Sequence, residues 1–158
     1  MPAAWRIVKA KHAARAFDGE GARLHGGRWT SVGRLAVYTS GTVALATLEM
    51  LVHLDSATPL AAYVLFAVTI PEETISVVDP VSLPRGWRAS PAPAALRALG
   101  DRWLEEGRSA VLRIPSAVVG AVGVEFNYLL NPAHPDFRLI TIGPEQAYDV
   151  DERLNRPT

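Results

Sequence analysis

LAVYTSGTVALATLEMLVHL, residues 35–54, passes within twenty positions from one kind of periodicity to another. Leu35 to Thr39 is a short apolar run ending in aromatic and β-branched residues, the composition of a strand. Thr39-Ser40-Gly41 then supplies side-chain oxygens and a flexible backbone, the chemistry that starts a helix. The spacing predicts a helix over about 42–54. On it Leu45, Leu48, Leu51 and Val52 recur at helical intervals and form an apolar face. Glu49 lies beside that stripe and is expected to be half-buried, with His53 one turn further on.

Working outward, Trp5 to Lys9 reads as a strand upstream, followed by a polar stretch to Leu24. His25-Gly26-Gly27-Arg28-Trp29 announces a tight bend. Downstream, Ala62 to Ile70 and Ile75 to Val78 are β-rich and separated by Pro71-Glu72-Glu73, a turn. A proline-punctuated crossing leads to a helix over 93–106, with Ser90 as its cap, Leu96, Leu99, Trp103 and Leu104 inward, and Gly107 as terminator. Ala110 to Ile114 is strand-like and Pro115-Ser116 closes it. Val118 to Val124, Phe137 to Ile142 and Ala147 to Val150 offer further short β segments. Strands outnumber helices and interleave with them irregularly. The expectation is an α+β fold, one domain over residues 1–158, with a mixed or split β-sheet and flanking helices rather than a regular doubly wound one.

Composition narrows the function. The 158 residues contain 16 basic and 16 acidic side chains, 49% hydrophobic residues and no cysteine. That excludes disulfides, thiol nucleophiles, Cys-based zinc sites and iron–sulfur clusters. Zero formal charge disfavours direct nucleic-acid binding. No apolar run reaches the ~20 residues of a membrane-spanning helix, and the N-terminal segment lacks the apolar block of an export signal, so a cytoplasmic protein is expected. Dinucleotide-fold glycine fingerprints, phosphate loops, zinc-protease motifs and serine elbows are all missing. His12, His25, His53 and His134 are scattered without ligand spacing, so no metal is expected.

What remains is a set of polar residues in apolar or glycine-rich settings. Arg28, after two glycines, reads either as an exposed turn arginine or as a guanidinium fork for phosphate. Tyr38, at a strand end, is a core ring with its hydroxyl at the rim or a stacking surface for a flat heterocycle. Glu49 could pair with His53, or serve as a desolvated carboxylate that stabilises a cationic transition state. Ser116, Asn127 and Asn131 have turn roles as their default.

The order of several short motifs adds to this. Trp5-Arg6, Gly26-Gly27-Arg28-Trp29 with Gly33, Val37-Tyr38-Thr39-Ser40, Ala44-Leu45-Ala46-Thr47-Leu48-Glu49, Leu83-Pro84 with Trp87, Gly100-Asp101-Arg102-Trp103, Ile114-Pro115-Ser116-Ala117-Val118-Val119 and Asn127-Tyr128-Leu129-Leu130-Asn131-Pro132 span nearly the whole chain. In that order the chain resembles the RES-domain family. It departs at Thr30, where the family usually has Asn, and at Gly120-Ala121, where a proline is common. The resemblance implies a fold similar to diphtheria-toxin-type ADP-ribosyltransferases. It also implies the activity of a toxin of a bacterial toxin–antitoxin pair that consumes NAD⁺, passing ADP-ribose to water, phosphate or a protein. The partners it implies are an Xre-like antitoxin covering the active site, a homodimer within the complex, and a protein acceptor. It assigns the catalytic set to Glu49, Arg28, Tyr38 and Ser116, and the NAD⁺-binding set to Arg28, Trp29, Tyr38, Ser116 and Asn127. Competing readings are a mono-ADP-ribosyltransferase specific for one host protein, with little free NAD⁺ degradation, and a catalytically idle binding domain.

Overall fold

A strand that is apolar on both faces needs a packed layer on each side, and the sheet of this protein is built that way. In the computed structural model, which describes residues 1–54, 62–120 and 123–154, the strands are β1 (Ala3–Lys9), β2 (Val37–Ser40), β3 (Tyr63–Thr69), β4 (Ile75–Val77), β5 (Val111–Pro115), β6 (Phe126–Leu130), β7 (Thr141–Ile142) and β8 (Gln146–Tyr148). They form one mixed sheet in the order β4-β5-β6-β2-β1-β3-β7, with β8 also paired to β3. β4 and β5 run parallel and the other pairs are antiparallel. Three α-helices accompany it: α1 (Glu20–His25), α2 (Val43–Leu51) and α3 (Ala94–Glu106).

Alternation along the strands sorts the core into two layers. Val111, Leu130, Val37, Ala4 and Val68 face one side, where Ile70 and Ile140 complete a buried cluster. Leu112, Ile114 and Leu129 face the other, against Trp29, Leu96 and Trp103. Each fully buried Leu, Ile or Val contributes about 1.5–3 kcal/mol.

The segment over residues 35–54 folds as its pattern demands, with adjustments. The strand ends at Ser40, and Thr42, rather than the three residues before it, caps α2 by accepting from Leu45 N at 3.0 Å. The helix stops at Leu51, and 52–54 form turns. Its apolar stripe divides: Leu45 is buried, but Leu48 and Val52 are 42% and 58% exposed. The reason is that α2 packs on β1 and β2 and buries Leu45, Ala46 and Thr47, not the Leu48 and Val52 side. Thr47 Oγ1 donates back to Val43 O and meets Tyr148 Oη at 2.5 Å, tying the helix to β8.

Other expectations change. Val118 to Val124 contains bends and turns in its described residues, and the strand lies just after it, at β6. Gly120 and Gly123 interrupt the apolar run, Gly123 with φ +87, and such residues make turns more readily than strands. Phe137 to Ile142 is largely a 3₁₀ turn, Pro135–Leu139, leaving only Thr141–Ile142 extended. Proline at its start and a His134 cap that accepts from Asp136 N direct the chain that way. Ser90 does not cap α3: the helix starts after Pro93 with no side-chain cap, and Gly107 ends it at φ +58. Among the described residues, no helix is long and apolar enough to cross a membrane.

Candidate active site

Glu49 sits two turns into α2, where the helix carries it to the end of β5 and the start of β6. There its Oε1 accepts two hydrogen bonds, from Ser116 Oγ at 2.9 Å and from Asn127 Nδ2 at 2.7 Å. Two donors fill the lone pairs of that oxygen. Oε2 has no hydrogen-bond partner among the described residues, so one half of the carboxylate is anchored and the other half is free. The residue is half-buried, and no Glu49–His53 pair forms among the described contacts.

Ser116, 1% exposed, is saturated. Its Oγ accepts from Val118 N at 3.1 Å and Val119 N at 3.2 Å while its proton goes to Glu49. A hydroxyl has one donor and two acceptor positions, and all three are used. Ser116 therefore combines the turn role with the orientation of Glu49. Asn127 departs from its default: it lies within β6, opposite Ser40 on β2 and Ile114 on β5, rather than in a turn. Its Oδ1 is buried without a partner among the described residues, while Nδ2 donates to Glu49. Asn131 does make the expected turn, accepting from Ala133 N.

A second group lies on the same face of the sheet. Tyr38 and Ser40 are two residues apart on β2, about 7 Å of strand, and both point to the side of Asn127 and Leu129. The Tyr38 hydroxyl accepts from Trp29 N at 3.2 Å and meets Thr30 Oγ1 at 2.8 Å. Burial pushes the phenol above its ordinary range, and the hydrogen bonds from Thr30 and Trp29 oppose that only in part. Tyr38 is thus a neutral phenol at physiological pH, fixed as a wall. Gly27 permits the approach: a Cβ there would sit 2.4 Å from the Tyr38 oxygen.

Trp29 is 2% exposed and packs with Leu96 and Trp103, so its indole presents no face to a ligand here and instead backs the loop that carries Arg28. Arg28 is half-buried, neither a free turn arginine nor paired with a carboxylate among the described residues. Its Nη1 donates to Trp87 O at 3.1 Å and Ala89 O at 2.7 Å, which leaves Nε and Nη2 for an anion. The structure therefore joins Glu49, Ser116 and Asn127 directly, and Arg28, Trp29 and Tyr38 through the 26–30 loop, with Tyr38 and Asn127 on the same face of the paired strands β2 and β6.

Two supports escaped the reading of the sequence. Helix α3 clamps the Arg28 loop: Gly100 lies under the Trp29 carbonyl, and Asp101 accepts from Ser31 N at 2.9 Å and Ser31 Oγ at 2.5 Å. Arg6 is half-buried and donates from Nη1 to Tyr38 O at 2.8 Å and from Nε to Ala16 O at 2.6 Å, its guanidinium also lying against the Phe17 ring. Burial pushes Arg6 down to about 10, with Asp18 opposing, so it stays a cation at neutral pH and holds the Tyr38 backbone. Tyr38→Phe would strip the Trp29 amide and Thr30 of their partner. A loss of about 1–3 kcal/mol is expected, read as a lower midpoint in thermal unfolding.

Comparison with known proteins defines the class. The RES domain profile matches residues 3–151, and the chain belongs to that family. Its relatives include "Toxin Res" of Yersinia enterocolitica, 39% identical over 152 residues that cover 95% of this chain and 97% of that protein. The "Prs ADP-ribosylating toxin" of a Sphingobium species is 39% identical over 158 residues, 96% of each chain. Among solved structures, the M. tuberculosis MbcT–MbcA toxin–antitoxin complex superposes with a TM-score of 0.75 over 93% of this chain and 84% of that one. At 17% identity that likeness establishes the α+β fold.

Proposed function

We propose that this protein is the toxin of a toxin–antitoxin pair and that it cleaves the nicotinamide–ribose bond of NAD⁺. The observation that carries the reading is the Glu49 carboxylate with one oxygen anchored by Ser116 and Asn127 and the other without a partner among the described residues. Heterolysis of that bond sends its electron pair to nicotinamide, which departs neutral, and leaves a ribosyl oxocarbenium ion at the anomeric carbon. A fixed carboxylate on the ribose side stabilises this developing charge without reorganising, the electrostatic support also used in glycoside cleavage. Glu49 Oε2 takes that role and holds a ribose hydroxyl. Ser116 and Asn127 keep the carboxylate from rotating. Arg28, through Nε and Nη2, grips the diphosphate, and Tyr38 walls the nicotinamide pocket with Trp29 behind it. ADP-ribose then passes to water, phosphate or a protein side chain.

The likeness to the Sphingobium ADP-ribosylating toxin favours a second reading, transfer to one host protein with little loss of free NAD⁺. The two separate experimentally. Purified protein is incubated with NAD⁺, with and without phosphate, and the products are resolved chromatographically. Free ADP-ribose marks hydrolysis, and a phosphorylated ADP-ribose formed only with phosphate marks phosphorolysis. Label appearing in a protein band after addition of lysate, with no free product, marks protein transfer.

An Xre-like antitoxin is the proposed partner, seated over the mouth of the site, with the toxin acting in the cytoplasm. Exposed Leu48 on the helix that carries Glu49 and exposed Val52 just past the end of that helix support a protein covering there. Ser116→Ala is expected to lower the rate about tenfold by removing one hydrogen bond to a charged group. A rate unchanged within twofold would remove Ser116 from the mechanism.

A further inference from the structure

The crossing between β4 and α3 reaches the site at both ends of a short span. Arg28 holds the carbonyls of Trp87 and Ala89, and between them stands Arg88. Arg88 Nε donates to Ala117 O at 3.2 Å. Its two terminal nitrogens lie so close to the backbone that a Cβ at Gly120 would meet each at 3.2 Å. The guanidinium is therefore laid along residues 117–120.

Those residues matter because they carry the amides that fill the Ser116 lone pairs. Val118 and Val119 lie in bends, not in a helix or strand, so no ladder of backbone hydrogen bonds holds their N–H groups in place. If the loop shifts, Ser116 Oγ loses its two donors and its proton is free to rotate away from Glu49. Arg88 is a side chain from outside the loop that binds it, and its own backbone is fixed on either side by Arg28.

Resting on the proposed NAD⁺ reading, we infer that Arg88 is a positioning residue for the reaction. It braces loop 117–120 so that the Val118 and Val119 amides aim Ser116, and Ser116 aims Glu49. It acts through the loop and not on substrate. Because the effect passes through Ser116, removing Arg88 and removing Ser116 are not additive.

The test uses the full chain with Arg88→Ala and Arg88→Lys, each also combined with Ser116→Ala. In steady-state NAD⁺ cleavage, Arg88→Ala is expected to lower kcat about tenfold with KM unchanged within twofold. Arg88→Lys is expected to recover part of the loss, and Arg88→Ala in the Ser116→Ala background to change kcat by less than twofold. Independently of turnover, amide hydrogen exchange at Val118 and Val119 is expected to accelerate in Arg88→Ala, while Leu112 and Leu129 in the sheet stay protected. A raised KM with kcat intact would make Arg88 a substrate phosphate contact and overturn the inference. So would full additivity with Ser116→Ala, or unchanged exchange at both valines. A wild-type protein that leaves NAD⁺ intact would defeat the functional reading, and the exchange result would then decide alone whether Arg88 braces the loop.

Discussion

Glu49→Gln is expected to reduce NAD⁺ cleavage about a thousandfold, close to 4 kcal/mol of transition-state stabilisation, without loss of fold. The side-chain carbonyl of glutamine can still accept from Ser116 Oγ and Asn127 Nδ2, so the local hydrogen bonds survive the change. What disappears is the negative charge on the free oxygen, which has its largest effect when the ribose becomes cationic. The expected signature is a fall in kcat with KM within a few-fold, because the ground-state dinucleotide does not need that charge as the transition state does. Thermal unfolding of the variant checks that the fold is intact.

The largest expected effect on stability comes from a residue that forms no part of the catalytic set but supports the Arg28 loop. At Gly100 an added Cβ would lie 1.8 Å from the Trp29 carbonyl oxygen and 2.8 Å from its carbon. Both are backbone atoms, so no side chain can swing aside. Gly100→Ala is expected to cost about 3 kcal/mol, a fall of about 6–12 °C in midpoint for a domain of this size. The shift would carry Trp29 and with it Arg28, so activity should fall as well. Gly21→Ala provides the contrast: Gly21 is in α1 with nothing within 4 Å of the added carbon. Alanine there gains helix propensity and should be neutral or stabilising by up to about 1 kcal/mol. Paired thermal melts of the two variants check both statements.

How far the sequence was legible depended on how local the cause was. β1 to β5 and helices α2 and α3 came within a few residues of their observed limits, because alternation, helical spacing and Gly107 are local signals. β6 was hidden. Its Phe126, Tyr128 and Leu130 face one layer while Asn127 interrupts the other, and the more apolar run just before it attracted the strand assignment. Within the sheet, the Asn127 Nδ2 group finds its acceptor in Glu49 on α2, a contact across 78 positions that no window of residues contains. α1 was also missed, being six residues long and ended by Gly26 at φ +70.

The candidate site divides in the same way. Glu49 beside a leucine stripe, Ser116 after a strand-ending proline and Arg28 after two glycines stood out as chemistry out of place. Their partners did not. Nothing in Gly100-Asp101 or Arg88 reveals that one clamps the Arg28 loop and the other lies along residues 117–120, since both depend on how distant segments stack. The burial of Trp29 was illegible for the same reason: only the packing of α3 shows that its indole is enclosed by Leu96 and Trp103.

The most direct test of the account is the release of nicotinamide from NAD⁺ by purified wild-type protein beside Glu49→Gln, followed by chromatography with excess enzyme and with cell lysate added in parallel. The account predicts stoichiometric or catalytic nicotinamide release by the wild type and loss of about a thousandfold in the variant. Equal release by both proteins, or none by the wild type even with lysate, would contradict it.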